Sequence, residues 1–383
     1  MTLQHNAPLV LLAAGGTGGH IFPAEALADA LSKRGIQLAF VTDRRGAAYE
    51  GVLARLPTYR VAAGGLAGRS VKSGIVAFGR LILGMFQAFF LLRRLRPAMV
   101  VGFGSYLSVP PLGVAQLLRI STIIHEQNAV LGRANKLLAV HATRIATAFV
   151  HVEGLSEDDA ARTIRTGNPV RPTVTALSTE PYPEPKPQGP LNILVLGGSQ
   201  GATIFADVVP MAIAQLSSAD RARIYITQQC RTEDISRVEK MYEQIGIKAE
   251  LASFITNVPD RLKKAHLVIC RAGASTAAEL TVSGRPAILV PYPYATDDHQ
   301  TENARNLADA GGAWVMPQPT FTAEALTQRL AALLALPQTL ITAARCARQA
   351  GIPMAAERLA DLVIESLPGN SKKNSANHGR VAA

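Results

Sequence analysis

Two stretches decide the fold of this chain: Leu9–His20 (LVLLAAGGTGGH) and Leu191–Ala202 (LNILVLGGSQGA). In each, a run of apolar, β-prone residues is followed by a pair of glycines, a hydroxyl residue and a further glycine, and then by a helical pattern. A strand, a glycine turn and a helix open an α/β unit. Because the pattern occurs twice, about 180 residues apart, the sequence predicts two α/β domains of similar topology.

Short apolar runs that end in polar or glycine residues alternate with helical patterns in both halves. This alternation predicts an α/β fold of two Rossmann-like, doubly wound parallel-sheet domains, with ligands bound at the carboxyl ends of the strands in a cleft between the domains. The predicted strands are Leu38–Thr42, Met99–Gly102, Ser121–His125, Ile224–Thr227, Leu267–Cys270 and Ala287–Val290, and the predicted helices are Glu25–Ser32, Arg133–Val140 and Thr276–Val282.

A proline-rich stretch separates the two halves. It contains seven prolines between Pro169 and Pro190, a density that argues against both helix and central strand and indicates a linker. We therefore predict a first domain over residues 1–171 and a second over residues 172–352. Residues 368–383 are small, polar and basic, and we expect them to be disordered.

Composition excludes several classes of protein. The chain has 383 residues, of which 48% are hydrophobic and 17% charged, and this is an ordinary globular composition rather than that of a disordered, collagenous or coiled-coil protein. Its three cysteines lie far apart and form no CxxC pair, so a disulfide framework and a structural zinc site are not expected. The first residues lack the basic and apolar regions of a signal peptide. These features predict a cytoplasmic protein.

Positive charge is concentrated near the N-terminus. Between Lys33 and Arg96 there are twelve Lys and Arg residues against Asp43 and Glu50, which suggests an anionic partner such as nucleic acid, a membrane surface or a phosphorylated substrate. The same region contains Ile75–Leu92 (IVAFGRLILGMFQAFFLL). This stretch fits a buried amphipathic helix or a helix lying on a membrane. It is borderline in length for a membrane span, and Arg80 argues further against spanning.

Candidate site residues in the first half follow predicted strands. Glycines at Gly15–His20 allow close approach of a ligand, and the helix start offers N–H groups to anionic oxygens. His20 fits either a helix-cap role or a base, since imidazole titrates near neutral pH. Asp43, at the end of the next strand, is a weak candidate for a ribose ligand. His125–Asn128 (HEQN) ends a later strand, where ligand contacts belong in α/β domains.

Candidates in the second half suggest a phosphate and sugar site. Gly197–Ala202 repeats the glycine turn, and Arg271–Glu279 (RAGASTAAE) follows a predicted strand. Ser275 and Thr276 can cap the following helix or bind a phosphate there. Glu279, one turn further on, is either a ribose ligand or a solvated acid. The polar run Asp297–Asn303 (DDHQTEN) either binds a sugar or is plain surface.

Taken together, these motifs resemble one family. GGTGGH, GFGSY (Gly102–Tyr106), HEQNA, GNPVR (Gly167–Arg171), GGSQGA, RAGASTAAEL and DDHQTENA occur in this order and at similar spacing in the MurG family, the peptidoglycan N-acetylglucosaminyltransferases that convert lipid I to lipid II. The resemblance covers about residues 7–365. Ser105 stands where most members have glycine, and serine is small enough to fit.

The resemblance implies a GT-B fold, with UDP-GlcNAc bound mainly by the second domain and undecaprenyl-linked lipid I by the first. It also implies that a helix over residues 353–367 packs back on the first domain. The implied acceptor loop is Gly104, Ser105 and Tyr106. The implied UDP-GlcNAc-binding residues are Thr17, Gly18, Gly19, Asn128, Arg171, Ser199, Ile255, Ala274, Ser275, Thr276, Glu279 and Gln300.

The implied reaction is inverting transfer of GlcNAc to the 4-hydroxyl of MurNAc. It requires a general base and stabilisation of the departing diphosphate. His20 is the preferred base and Glu126 its rival, whereas Asp158–Asp159 and Asp297–Asp298 do not resemble a metal-binding DxD pair. We therefore expect no cofactor and no obligatory protein-bound metal.

The expected location is the cytoplasmic face of the inner membrane, where the protein is peripheral. The expected partners are an anionic membrane surface through Lys72–Arg96 and other cell-wall synthesis proteins, but not nucleic acid. Two other functions stay open at this point: a nucleotide-sugar epimerase, which can share this architecture, and a non-enzymatic membrane adaptor.

Overall fold

The computed structural model describes residues 7–15, 18–42, 51–64, 71–198 and 201–368, and of residues 71–74 it describes the backbone alone. The chain divides into two compact units. Unit 1 contains the described residues through Arg171 together with those from Met354 onward, and unit 2 is Pro172–Pro353. The basic tail at residues 369–383 lies outside the described residues, as do Asp43, Thr17 and Ser199.

Unit 1 is built on a parallel sheet of seven described strands in the order β3-β2-β1-β4-β5-β6-β7. The strands are β1 Leu9–Ala13, β2 Gln37–Thr42, β3 Thr58–Arg60, β4 Met99–Gly102, β5 Ser121–Glu126, β6 Arg144–Thr147 and β7 Thr163–Arg165. Its first helices are α1 Gly18–Ser32, α2 Val71–Leu95, α3 Val109–Leu117, α4 Arg133–Ala139 and α5 Glu157–Ala160.

Unit 2 begins with the short helix α6 Pro172–Thr175 and has a parallel sheet in the order β10-β9-β8-β11-β12-β13. The strands are β8 Leu191–Leu196, β9 Ile224–Gln229, β10 Ala249–Ala252, β11 Leu267–Cys270, β12 Ala287–Leu289 and β13 Ala313–Val315. The helices are α7 Thr203–Ala214, α8 Ser218–Arg221, α9 Ile235–Gln244, α10 Val258–Lys264, α11 Ala274–Ser283, α12 His299–Asp309, α13 Ala323–Ala335 and α14 Gln338–Ala350.

Both sheets are covered on their two faces. Successive side chains of a strand point to opposite faces, so in β1 Val10 and Leu12 pack in the cluster of α1, whereas Leu11 packs with α2, α3 and α4. In β8 the same alternation directs Ile193 toward α7 and Leu194 toward α11. The doubly wound α/β prediction is therefore confirmed.

A last helix, α15 Ala355–Glu365, belongs to unit 1 although it follows unit 2 in the chain. Its buried Leu359 and Val363 share a core cluster with Leu27 and Leu31 of α1. Arg34 forms a salt bridge with Asp361. The C-terminal helix thus completes one face of the first sheet.

Two details differ from the sequence predictions. The proline-rich stretch was predicted to exclude helix, but Pro172–Thr175 is helical, because proline is tolerated in a first helical turn, where its missing N–H is not needed. Helix α1 begins at Gly18 rather than at Glu25 and contains Pro23. Pro23 is the sixth residue of this helix, so its missing N–H removes one intrahelical hydrogen bond, the one to the carbonyl of Gly19, within the first two turns.

Candidate functional site

The first candidate site lies at the carboxyl ends of β1, β4 and β5. His20 stands in the first turn of α1 and is half-buried, with its Nδ1 3.3 Å from Oε1 of Gln127. Gly104, in the loop after β4, comes so close that a Cβ there would lie 3.4 Å from Cε1 of His20. The structure thus brings together the glycine turn, the predicted acceptor loop and the HEQN segment.

The acceptor loop has an unusual backbone. Gly104 has φ +79° and Ser105 has φ +62°, so two successive residues are left-handed. The hydroxyl of Ser108 shares its one proton between the carbonyl oxygen of Gly104 and, at a longer distance, that of Ala13, which ties the loop to the end of β1. Glycine suits the position of Ser105 because it carries no Cβ penalty in this conformation.

The HEQN segment is buried and strongly bonded. Carboxylate oxygens of Glu126 accept hydrogen bonds from the backbone N–H groups of Asn128 (3.0 Å) and Gly132 (2.9 Å) and from Nδ2 of Asn135 (2.8 Å). These bonds hold the loop that leads into α4. A carboxylate occupied in this way is poorly placed to take a proton from a substrate, which favours His20 over Glu126 as the base.

Arg171 stands at the end of unit 1 and reaches back to the start of α1. Its guanidinium carbon lies 5.5 Å from the ring centroid of Phe22, and a Cβ at Gly18 would lie 2.9 Å from that same ring. A cation is therefore held beside the helix N-terminus, where both favour an anionic ligand. Thr17 completes the predicted turn but lies outside the described residues.

The second candidate site begins with the turn after β8. Gly198 and Gly201 have positive φ values, and a Cβ at Gly197 would lie 2.7 Å from the backbone N of Ala202. The buried amide of Gln229 accepts from the N–H of Gly197 and donates to the carbonyl of Gly198. Sequence reasoning missed Gln229, although a polar residue that ends a buried strand is a detectable signal.

Helix α11 supplies the anion-binding end of this site. It follows β11 through Gly273 and has no acidic residue in its first turn, so the N–H groups of Ala274, Ser275 and Thr276 favour a phosphate. The buried hydroxyl oxygen of Ser275 has no hydrogen-bond partner among the described residues. Glu279 lies half-buried on the next turn, at the spacing expected for a ribose ligand.

Gln300 and Arg271 hold neighbouring loops in place. Oε1 of Gln300 accepts hydrogen bonds from the N–H groups of Ala272 (3.2 Å) and Tyr292 (3.0 Å), which leaves its NH₂ group to bind a sugar oxygen. The guanidinium of Arg271 donates to the carbonyls of Val290 and Pro291 and to Oε1 of Gln318. Burial lowers the pKa of Arg271, and its bonds assign it a structural role.

The predicted uracil neighbour, Ile255, is buried in the core of unit 2. The preceding residue, Phe254, has 66% of its surface exposed and offers the larger apolar face. Sequence reasoning did not select Phe254, because an aromatic residue beside a buried one gives no signal of which side chain faces outward.

The acidic pairs serve local structure. Asp159 forms a capping box with Ser156 at the start of α5 and a 2.6 Å salt bridge with Arg162. Asp297 and Asp298 both have left-handed backbone before α12. In the part of the chain that the structure describes, no three His, Cys, Asp or Glu residues are grouped so that they could hold a metal ion. The independence from metal stays a prediction.

Helix α2 presents an apolar surface. Its small residues Ala77, Gly84 and Ala88 and the larger Leu92 are buried against unit 1, whereas eight of its large apolar residues are exposed; we call these eight the α2 apolar face. The stretch Ile75–Leu92 contains two polar residues, Arg80 and Gln87. Oε1 of Gln87 accepts a hydrogen bond from the N–H of Ala62, so this side chain is bonded to the rest of unit 1. The exposed residues of the α2 apolar face are Ile75, Val76, Phe78, Ile82, Leu83, Phe86, Phe89 and Phe90.

The surroundings of the α2 apolar face are basic. Arg80, Arg93, Arg94 and Arg96 are exposed, and Arg93 lies over the ring of Phe89. By length and composition, Ile75–Leu95 could cross a membrane. Of the two alternatives open for this stretch, the buried amphipathic helix is wrong for most of the helix, because only 22% of its most apolar window is buried.

Comparisons with known proteins agree on one family. Residues 10–147 match the model of the glycosyltransferase family 28 N-terminal domain, and residues 192–359 match that of the C-terminal domain. A protein of Paramagnetospirillum magneticum is 55% identical over 95% of this chain and 98% of its own length. A protein of Rhodospirillum rubrum is 54% identical over 94% of this chain and 92% of its own length.

Both relatives are named UDP-N-acetylglucosamine–N-acetylmuramyl-(pentapeptide) pyrophosphoryl-undecaprenol N-acetylglucosamine transferase. Among solved structures, that of Acinetobacter baumannii MurG superposes with a TM-score of 0.76 at 31% identity, and the match covers 94% of this chain and 99% of that one. The resemblance seen in the sequence motifs is thereby confirmed.

Proposed function

The chain belongs to glycosyltransferase family 28, and we propose that His20 is the base and α11 the diphosphate site of its reaction. The enzyme transfers GlcNAc from UDP-GlcNAc to the 4-hydroxyl of the MurNAc unit of lipid I and so forms lipid II in peptidoglycan synthesis. The observation that carries the residue assignment is that the two units place different groups at the carboxyl ends of their strands: the half-buried imidazole of His20 in unit 1 and, in unit 2, the start of α11, which has no acidic residue in its first turn.

In our proposal, unit 2 holds most of the donor. The diphosphate of UDP-GlcNAc lies against the N–H groups of Ala274–Thr276 and the turn after β8, including Ser199. Glu279 accepts hydrogen bonds from the two ribose hydroxyls, and the NH₂ group of Gln300 binds the GlcNAc. Phe254 and Ile255 flank the uracil, with Phe254 supplying the exposed ring.

Unit 1 provides the acceptor site and further donor contacts. The loop Gly104–Tyr106 borders the lipid I sugar, because Gly104 lies beside His20: a Cβ at Gly104 would lie 3.4 Å from Cε1 of that ring. Arg171, Asn128 and Thr17–Gly19 contribute further donor contacts, among which Arg171 is a cation beside a helix start. Asn128 is held by Glu126, so Glu126 acts on the reaction through the shape of this loop.

The reaction proceeds by one displacement. The MurNAc 4-oxygen forms a bond to the anomeric carbon of GlcNAc as the bond from that carbon to the β-phosphate oxygen breaks, which inverts the linkage from α to β. The hydroxyl proton passes to Nε2 of His20. The electron pair leaves with UDP, where the helix-start amides stabilise the developing charge without reorganising. None of these steps requires a protein-bound metal.

The α2 apolar face offers a way for the enzyme to reach a lipid-linked substrate. We propose that the helix lies on the cytoplasmic face of the inner membrane, with its apolar side chains in the interface and its arginines near anionic headgroups. The exposure of large apolar residues beside cations on one helix supports a peripheral attachment. Other cell-wall synthesis proteins stay proposed partners.

Radiolabelled transfer tests the proposal. The protein is incubated with labelled UDP-GlcNAc and a short-chain lipid I analogue, with and without EDTA. We expect one β-linked disaccharide and one UDP per turnover, and the same rate in EDTA. Epimerised donor in the absence of acceptor, or hydrolysis without transfer, would contradict the transferase assignment, and loss of activity in EDTA would contradict the metal prediction.

A further inference from the structure

A chain of hydrogen bonds runs behind His20 and ends at a backbone carbonyl. Nδ1 of His20 contacts Oε1 of Gln127 at 3.3 Å, and Nε2 of Gln127 contacts Nδ1 of His125 at 2.9 Å. Nε2 of His125 then contacts the carbonyl oxygen of Gly167 at 3.0 Å. The three side chains therefore link α1, the loop after β5 and the loop after β7.

Backbone carbonyls fix the direction of this chain at two points. Because the carbonyl oxygen of Gly167 can only accept, Nε2 of His125 carries a proton and its Nδ1 carries a lone pair. The carbonyl oxygen of His125 lies 2.9 Å from Nε2 of Gln127, so this atom is the NH₂ nitrogen and its two protons go to that carbonyl and to Nδ1 of His125. Oε1 of Gln127 must then face His20.

The consequence for His20 is a defined tautomer. An amide oxygen can only accept, so Nδ1 of His20 is the protonated nitrogen and, in the neutral ring, Nε2 carries the lone pair. Which nitrogen of a histidine is protonated is set by the hydrogen bond that the other one makes.

Burial preserves the donor and acceptor assignments in this chain of hydrogen bonds. His125 and Gln127 have 0% and 2% of their surfaces exposed, so water does not compete for their bonds. Burial lowers the pKa of His125 to about 4, and the ring stays neutral with its single proton directed at Gly167. A protonated His125 would instead need an acceptor where Gln127 presents its NH₂ group.

We propose that Gln127 is a positioning residue that holds His20 with Nδ1 protonated and Nε2 ready to accept a proton. The tautomer assignment stands on the hydrogen bonds, whereas its effect on turnover rests on the proposed role of His20 as the base. Gln127 contributes no group to the reacting atoms and acts through His20.

Nitrogen NMR of the full chain tests the tautomer directly. The chain contains eight histidines, and the protein labelled with 15N-histidine is measured at pH 8, above the ordinary histidine pKa of about 6.5. The spectrum of His20→Ala identifies the signals of His20 by their loss. We expect a protonated, pyrrole-like Nδ1 and an unprotonated Nε2. The opposite pattern in the wild-type protein would overturn the proposal without any variant at Gln127.

Gln127→Met, which keeps the side-chain length but removes the amide, tests the cause. We expect the Nδ1 and Nε2 signals of His20 to move toward a mixture of tautomers. We also expect kcat to fall roughly 2- to 12-fold, the equilibrium ratio that one net hydrogen bond supports, with an unchanged KM for UDP-GlcNAc. Unchanged His20 signals in this variant would overturn the proposal.

Gln116→Met is the matched control. Gln116 also lies in unit 1 and donates one hydrogen bond to a backbone carbonyl, that of Leu138, but it has no contact with His20. We expect stability to fall in both Gln→Met variants, and the His20 signals and kcat to change in Gln127→Met alone. Full kcat in His20→Ala would contradict the proposed function and leave the tautomer assignment standing, so the two failures are distinguishable.

Discussion

The turn after β1 leads into a histidine, whereas the turn after β8 leads into a helix that begins Thr203-Ile204-Phe205. In both units a buried polar side chain from another strand of the same sheet helps to hold this region. In unit 1 that support is a chain that includes the imidazole of His125, and in unit 2 it is the amide of Gln229. We propose that the carboxyl ends of the strands serve proton transfer in unit 1, where the chain of hydrogen bonds reaches His20, and anion binding in unit 2, where Gln229 holds the turn after β8.

The largest expected effect is at His20. His20→Ala should lower kcat by roughly 10²- to 10⁴-fold if the imidazole is the general base, with a change of about 1 kcal/mol in the free energy of unfolding. Steady-state kinetics and thermal denaturation of the same variant measure both. His151→Ala, which removes an exposed histidine of unit 1, is the control. A lower midpoint of thermal unfolding with an unchanged kcat would indicate that His20 only stabilises the start of the helix.

Acid should weaken unit 1 through His125. Its folded-state pKa of about 4 lies below the unfolded value of 6.5, so the unfolded state binds a proton first as pH falls. The free energy of unfolding is therefore at its full value above pH 6.5 and falls by about 3 kcal/mol between pH 6.5 and pH 4.

Denaturant unfolding of wild type and His125→Gln between pH 7 and pH 4 measures this loss. Glutamine keeps an N–H donor near Gly167 but does not titrate, so the variant should lose less stability than wild type over this range. Parallel pH curves for the two proteins would show that His125 does not titrate as described. In unit 2 the turn after β8 is held by Gln229, which does not titrate. This residue therefore adds no pH dependence to the free energy of unfolding.

Donor binding should depend on unit 2. Glu279→Ala should weaken UDP-GlcNAc binding by about 1.5–3 kcal/mol, since a charge-assisted hydrogen bond to the ribose is lost. Calorimetry measures the affinity, and Glu239→Ala, an exposed glutamate of α9, provides the control. Equal affinities of Glu279→Ala and wild type would contradict the assignment of Glu279 as the ribose ligand.

The two units also differ in their surfaces, because the α2 apolar face has no counterpart among the described helices of unit 2. Phe78→Ser combined with Phe86→Ser should weaken binding to anionic vesicles by at least about 10-fold, since each phenylalanine buries apolar area in the interface. Turnover of a short-chain soluble acceptor should be unchanged. Flotation assays at low and high salt measure the binding.

The control for this pair is Met211→Ser with Leu336→Ser, which removes two exposed apolar residues of unit 2. We expect that control to bind vesicles like wild type. Aggregation of the phenylalanine variant would indicate that α2 is part of the core. Resistance of the wild type to both salt and carbonate would indicate a membrane span.

Much of the fold was predictable from buried central strands. β4 and β11 have the predicted bounds, and β5, β9 and β12 differ by at most two residues, because central parallel strands are continuous apolar runs. The edge strands β3, β7, β10 and β13 were not predicted, and neither was the inner strand β6, which begins with an exposed arginine and has only three buried residues. Thr58–Arg60 (TYR) and Thr163–Arg165 (TIR) have only three residues, with one aromatic or apolar residue between two polar ones, which is too short to show a strand pattern in the sequence.

The candidate site was predictable where glycine and strand ends mark it, and not where side chains act through one another. Gln127 lies within the HEQN motif, yet its role depends on His125 and on Gly167, 42 residues further along from His125. The strand-end position of Glu126 and the reaction implied by the family resemblance suggested it as a rival base, whereas the structure shows its carboxylate holding the loop into α4. Such roles follow from three-dimensional bonding that no local pattern encodes.

The central claim is that the turn of unit 1 provides the proton acceptor while unit 2 binds most of the donor. Calorimetric titration of UDP-GlcNAc into catalytically impaired His20→Ala tests this division most directly. We predict an affinity within about threefold of wild type, because the imidazole is assigned to the acceptor hydroxyl. A loss of affinity of 10-fold or more would place His20 among the donor-binding groups and contradict its assignment as the base.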